Sequence, residues 1–262
     1  MQAIPLWKAI FLGVVQGITE FLPVSSSAHL VIFQQFLNLG HDGAFLMAFD
    51  VALHFGTLAA LVTVFLPDLK WILKESAGRR IGLYVILATI PAALVGFLLK
   101  NFFETLFGDT ISASFFLILT GWILWWTQKA KPASLDLESM TPKEALGIGF
   151  AQAVAILPGI SRSGSTIAAG ILLKLKPEAA VRFSFLMAIP AIGGAALVEF
   201  HKFAAMNSSV LLPLLAGVVV AFFSGLSAIR WMLKFIEGGK LYFFSWYCWI
   251  FGGFVFIKEL FL

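Results

Sequence analysis

The chain has 262 residues, of which 60% are hydrophobic and only 12% charged, with a formal net charge of +4. That balance excludes an ordinary soluble domain and leaves room for about eight to ten helical segments of about 20 residues each. The positive charges sit in short loops between apolar runs, which reads as a membrane topology signal; no nucleic-acid partner is expected.

Runs such as 211–223 are continuously apolar. They lack the alternation of a membrane β-strand, so an all-α polytopic membrane protein is expected. Cys248 stands alone in an apolar aromatic run, which leaves no disulfide or cysteine metal cluster and predicts a buried thiol. The first apolar run carries Gln16 and Glu20 and lacks a charged leader with a small-residue cleavage site, so no cleavable signal is expected.

In chain order, helices are predicted at 4–21, 26–37, 45–66, 82–99, 111–128, 143–157, 163–174, 178–200, 209–229 and 242–261. Pro67, Gly78, Gly108 and Pro132, among clustered charges, mark the loops. The longest polar stretch, 129–143, divides a single membrane domain (1–262) into halves of about 1–128 and 143–262, with a linker of about 129–142.

The halves repeat. Gln16-Gly-Ile-Thr-Glu20-Phe-Leu-Pro23-Val-Ser25-Ser26-Ser27-Ala-His29 aligns, with one gap before the proline, to Gln152-Ala-Val-Ala-Ile-Leu-Pro158-Gly-Ile-Ser161-Arg162-Ser163-Gly164-Ser165-Thr166. A second block, 49–62, aligns ungapped with 185–198, at the same offset of 136 positions. The second members of the pairs 4–37 and 143–174 hold about 12 apolar residues, too few to cross about 30 Å of hydrocarbon. Each pair therefore reads as a re-entrant helix hairpin, tolerable only where its tip is buried in protein or lines a wet cavity. Six transmembrane helices and two hairpins then place thirteen Lys and Arg residues in loops 67–81, 129–143, 174–182 and 230–240 on one side. Only Lys8, Lys100, Lys202 and Lys258 lie on the other. The positive-inside rule makes the first side cytoplasmic, so both termini and the first hairpin's mouth face outside and the halves have inverted topology.

Ionisable residues inside a membrane domain are functional candidates. Gln16 and Glu20 are four apart and share a helix face; a carboxylate there suits a hard cation, Mg²⁺ or Ca²⁺, or a base. Among Ser25, Ser26 and Ser27 one serine is expected to cap the next helix. His29 lies one turn after Ser26, and a hydroxyl beside an imidazole is the pairing that activates a nucleophile. Ser161, Ser163 and Thr166, the glycines around them and Arg162 have the ingredients of an anion cradle at a helix start. A purely structural Arg162–Glu20 pair holding the hairpins together is the plainer reading. Asp50 and His54, four apart, suit a supporting layer or an interhelical contact. His41, Glu199 and His201 read as loop or interface residues, and Trp122, Trp125, Trp126, Trp246 and Trp249 as interface anchors.

The ordered motifs Gln16-x-x-x-Glu20-Phe-Leu-Pro-Val-Ser-Ser-x-x-His29 and Pro158-Gly-x-Ser-Arg-Ser-Gly-x-Thr166, with Phe183-Ser-Phe-Leu and Pro190, resemble the bacterial undecaprenyl-diphosphate phosphatases, or bacitracin-resistance proteins, over essentially the whole chain. The resemblance implies a divalent-cation-dependent enzyme of the bacterial plasma (inner) membrane with an outward-facing site. Its substrate would be a long-chain prenyl diphosphate lipid in the bilayer, and its product the monophosphate carrier reused for cell-wall synthesis. It also implies Glu20 as the motif carboxylate, Ser26 and His29 as a catalytic pair, and Arg162 with neighbouring hydroxyls as the diphosphate site. Gln16 replaces a glutamate often present in the family, which weakens it as a ligand or base, and Ser27-Ala28 stands where Thr-Gly is common.

The expected reaction is attack by Ser26 on the terminal phosphorus with His29 as base; a histidine nucleophile, or water activated by His29, are variants. Inverted repeats also build transporters, so flipping of a prenyl phosphate lipid is the competing class. The sequence leaves oligomeric state open, a homodimer included.

Overall fold

The computed structural model describes residues 4–39, 43–99, 102–103, 106, 108–130, 132–204, 210–238 and 240–261, the side chains of 43–44 and 198–204 excepted. His41, Lys100 and Lys131, and the side chains of Glu199, His201 and Lys202, lie outside the described residues. The chain is all-helical: α1 (Leu6–Phe21), α2 (Ser26–Phe36), α3 (Gly43–Val64), α4 (Leu66–Lys74), α5 (Ser76–Leu98), α6 (Thr110–Trp126), α7 (Pro142–Val154), α8 (Arg162–Leu172), α9 (Pro177–Ala204), α10 (Leu211–Ile236) and α11 (Phe243–Phe261). Among the described residues there is no strand, only an isolated bridge between Leu135 and Leu175.

Segments of α3, α5, α6, α9 and α10 are long and apolar enough to cross a membrane. The sixth expected span, α11, has 19 residues, but Trp246, Tyr247, Lys258 and Glu259 hold its hydropathy below theirs. Leu83, Ile86, Ile90, Leu94 and Phe97 recur every three or four residues along α5 and are all exposed. An apolar stripe turned outward is the signature of a lipid-solvated helix.

Local chemistry sets the ends of the short helices. Leu22 precedes a proline and takes extended backbone (φ −74°, ψ 147°), which stops α1. Thr141 and Glu144 form a capping box ahead of α7, with Pro142 in its first turn. The loop expected at 67–81 is instead α4 and the start of α5: Pro67 opens α4, where its missing N–H costs nothing, and does not end a helix. Likewise α10 continues past the expected 229 through Arg230 and Lys234 to Ile236.

Small residues let the helices approach. On α1, a Cβ at Gly13 would meet the Gly217 carbonyl of α10 at 2.5 Å; on α7, a Cβ at Gly149 would meet that of Ala88 on α5 at the same distance. The central core joins the halves, with Phe185 of α9 edge-on to Phe21 and to Phe65 (centroids 5.5 and 5.8 Å). The tryptophans do more than mark an interface, because Trp122 and Trp125 of α6 pack on Trp249 of α11 (4.9 and 5.3 Å).

Polar contacts gather the helix ends into two groups. Lys8 before α1's second turn donates to the carbonyl of Leu37 after α2 (2.6 Å), Gln35 of α2 donates to Glu259 of α11 (2.9 Å), and Thr110 of α6 bonds Gln35. The other group joins the linker to the turn after α8: Leu135 N–H to Lys174 O (3.0 Å), Lys176 to Asp136 (2.8 Å) and Arg80 to the Glu138 carbonyl (2.5 Å).

Candidate active site

The turns α1–α2 and α7–α8 meet. Each is shaped by a capping serine: Ser25 Oγ accepts from Ala28 N–H (3.4 Å), and Ser161 Oγ from Gly164 N–H (3.0 Å). Ser25 sits at φ 65°, a strained left-handed conformation for a residue with a Cβ. Gly159 sits at φ 108°, against the carbonyl of Ala113, where no side chain would fit. Three bonds cross between the turns: Arg162 Nη2 to Glu20 Oε1 (2.5 Å), Ser163 Oγ to the Leu22 carbonyl (3.0 Å), and Gly159 N–H to Ser27 Oγ (3.3 Å). Thr120 of α6 anchors the second turn, donating to the Gly159 carbonyl and accepting from Ser161 N–H, both at 3.0 Å.

Glu20, 7% exposed, is the hub. While Oε1 takes Arg162, Oε2 accepts from Ser26 Oγ (2.7 Å) and Gln16 Nε2 (3.0 Å) and lies 3.3 Å from His54 Nε2. His54 Nδ1 faces the Asp50 carbonyl at 2.7 Å, so both its nitrogens point at oxygen acceptors, as a doubly protonated ring requires. A buried carboxylate is thus balanced by a guanidinium and an imidazole. His54, expected at most in a supporting layer, touches the hub directly. Asp50 does not: its Oδ1 accepts from Gln34 Nε2 (2.5 Å).

The expected Ser26–His29 pairing is not present. The His29 ring bonds back to the Ser25 carbonyl through Nδ1 and to Tyr247 Oη through Nε2, each at 2.7 Å, so it turns toward α11 while Ser26 turns to Glu20. The cradle hydroxyls are also committed elsewhere. Ser161 caps α8 and lies 3.2 Å from Ser163, Ser163 serves Leu22, and Thr166 bonds the Arg162 carbonyl (2.8 Å) and Ser184 (2.6 Å). A proton given to a neighbouring oxygen is not offered to an anion; those serines and Thr166 build the turn. What remains in this turn, among the described residues, is Arg162 Nη1 and the hydroxyl of Ser165, two buried groups with no partner.

Among the described residues no group of three or more His, Cys, Asp or Glu could hold a metal. Gln16 Oε1 is nevertheless a buried oxygen without a partner beside Glu20. That oxygen and a carboxylate oxygen of Glu20, which would give up one of its present donors, suit a hard cation that takes its other ligands from phosphates and water.

Sequence reasoning missed Tyr247 and Thr120. Tyr247 reaches His29 across 218 positions; its only signal was a hydroxyl set in an aromatic run. A cavity of about 570 Å³ opens at the C-terminal end of α2, lined by Gln34, Gln35, Asn38, Asp109 and Glu259 among others.

Comparison with known proteins agrees over nearly the whole chain. The family model described as bacitracin resistance protein BacA matches residues 9–254. An undecaprenyl-diphosphatase of Carboxydothermus hydrogenoformans is 42% identical over 252 residues, covering 94% of each chain. One of Methanobrevibacter smithii is 41% identical over 273 residues, covering 97% of each. The chain belongs to the bacitracin resistance protein BacA family.

Proposed function

We propose that the chain is a multi-pass membrane phosphatase that hydrolyses undecaprenyl diphosphate to the monophosphate and inorganic phosphate, recycling the carrier for cell-wall synthesis and thereby conferring bacitracin resistance. The observation that carries this reading is Arg162 Nη1, unpartnered and buried, on the guanidinium whose Nη2 holds the carboxylate that holds Ser26. A serine poised on a carboxylate beside an unpaired forked donor is a phosphoryl-transfer arrangement. A lipid transporter needs the anion site but no such serine.

Arg162 binds the terminal phosphate through Nη1. Ser26 Oγ forms a bond to that phosphorus as the bond to the bridging oxygen breaks, and its proton passes along the 2.7 Å contact to Glu20 Oε2. The prenyl monophosphate leaves; water oxygen then bonds to the phosphorus as the bond to Ser26 Oγ breaks, Glu20 returns its proton to Oγ, and the proton shed by the water is released with inorganic phosphate. Glu20 replaces His29 as the base in this scheme, because it is the group that Ser26 touches. Mg²⁺ or Ca²⁺, held by Glu20 and Gln16 Oε1, supplies charge neutralisation on the phosphates when bound.

The two helix pairs are read as re-entrant hairpins of an inverted repeat, with halves of about 1–128 and 143–262 about the linker. Several observations support this. The caps Ser25 and Ser161 are 136 positions apart, as are the close-approach glycines Gly13 and Gly149. The two ends of each pair lie in one polar group, and the pairs belong to opposite groups. With the positive-inside rule, the cavity at the end of α2 and both termini face outside the plasma membrane.

The test is phosphate release by purified protein from a long-chain prenyl diphosphate, with and without chelator. Release must depend on Ser26: turnover by Ser26→Ala at the wild-type rate defeats the mechanism, and no release by the wild-type protein under any cation defeats the function.

A further inference from the structure

His29 is poorly explained by the carboxylate hub, which it does not touch. Its Nδ1–H donates to the Ser25 carbonyl, which leaves Nε2 as the acceptor nitrogen, and that lone pair is taken by the Tyr247 hydroxyl at 2.7 Å. The ring lies nearly parallel to Tyr247 (5.7 Å, 8°) and to Phe251 (4.9 Å, 13°). Cys248 Sγ approaches the Pro23 carbonyl at 3.9 Å and fixes α11 against the same turn. The exposures are opposite: His29 is 2% exposed and Tyr247 44%. Tyr247 belongs to the outward apolar stripe of α11, with Phe243, Ile250, Phe254 and Ile257. One hydroxyl therefore separates a buried imidazole from the lipid-facing surface, and an imidazole whose lone pair is occupied can neither take a proton nor attack phosphorus.

We infer that Tyr247 is a positioning residue: its hydroxyl holds His29 in a resting tautomer and covers Nε2 from the lipid side, and the diphosphate head group of an arriving lipid displaces it. The displacement half rests on the phosphatase reading; the covering half does not. Once uncovered, Nε2 is free to accept the proton of the water that attacks phosphoserine 26, the one step for which the hub has no unengaged base.

The experiment uses full-length protein in detergent and diethyl pyrocarbonate, which acylates unoccupied imidazole nitrogens, with mass spectrometry resolving His29 from His54. Tyr247→Phe keeps the ring stack and removes only the hydroxyl. It should acylate His29 about fivefold faster than the wild type, the factor set by one hydrogen bond, while His54 is unchanged. It should also lower KM for a prenyl diphosphate by a similar factor with kcat nearly constant, since no bond remains to be displaced. An unchanged His29 acylation rate overturns the assignment, as does a fall in kcat at constant KM. Tyr247→Leu, which also lacks the hydroxyl, repeats the acylation test if the first variant does not accumulate. Absence of phosphate release by the wild type would count against the phosphatase reading alone, because acylation is read without substrate.

Discussion

The two turns share a frame and differ in what hangs on it. In both, a serine caps the short helix and lies 3.2 Å from the serine two positions on. Between those serines the first turn places Ser26 and the second Arg162; where the first continues to His29, the second has Ser165. Gln16 donates to Glu20, but the corresponding Gln152 has no partner for either amide atom. Capping answers a backbone demand, and any chain that starts a helix deep in apolar surroundings must meet it. The positions between the caps are free of that demand. One turn thus carries the proposed nucleophile and base with an imidazole, and the other a single cation, with Ser161, Ser163 and Thr166 serving as joinery.

If that division is right, the second turn should be sensitive at Arg162 and tolerant at Ser161, Ser163 and Thr166. Arg162→Ala should reduce kcat by about 10³–10⁵-fold, the range for an arginine that neutralises a transferring phosphoryl group. Arg162→Lys should recover no more than about a tenth of wild-type activity, since one ammonium cannot hold Glu20 and a phosphate in fixed directions together. Steady-state phosphate release measures both. An alanine variant with most of its activity would remove the second turn from the chemistry altogether.

The first turn is served from outside itself, by α3. His54→Ala removes the imidazole from Glu20 Oε2 and should lower kcat about tenfold, equivalent to about 1.4 kcal/mol for a hydrogen bond to a charged group. His54→Gln, which can still donate to the carboxylate, should restore most of it. Equal losses in both variants would mean that His54 acts by charge and not by aiming Glu20.

Much of this is legible in the amino-acid sequence, and the reason is local. Leu22-Pro23 must end a helix, a serine run must cap the next one, and 11-residue helices cannot cross a bilayer. The Arg162–Glu20 contact also follows, because neither charge tolerates burial alone. Side-chain direction was not legible. Ser26 and His29 share a face by spacing, yet each bonds the nearest stronger partner, Glu20 or the Ser25 carbonyl, and spacing does not rank partners. Tyr247 and Thr120 arrive from helices distant in sequence and carry no motif. Helix α4 was hidden because Pro67 ends helices in some contexts and begins them in others.

The smallest expected effect separates joinery from chemistry most cleanly. Ser163 Oγ donates to the Leu22 carbonyl across the two turns and is 1% exposed. Ser163→Ala removes one of two donors to that carbonyl, which still accepts from Val24 N–H (2.8 Å); this costs about 0.5–1.5 kcal/mol of stability and should lower the thermal unfolding midpoint in detergent. Activity below that midpoint should stay within about threefold of wild type, because the hydroxyl has no proton left for a phosphate. The opposite pattern, an unchanged midpoint with activity down more than a hundredfold, would return Ser163 to the anion cradle and make the two turns equal partners in binding. Ser26→Ala is the reference for that outcome: its hydroxyl bonds only within its own turn, so its loss should abolish turnover and leave the docking of the turns intact.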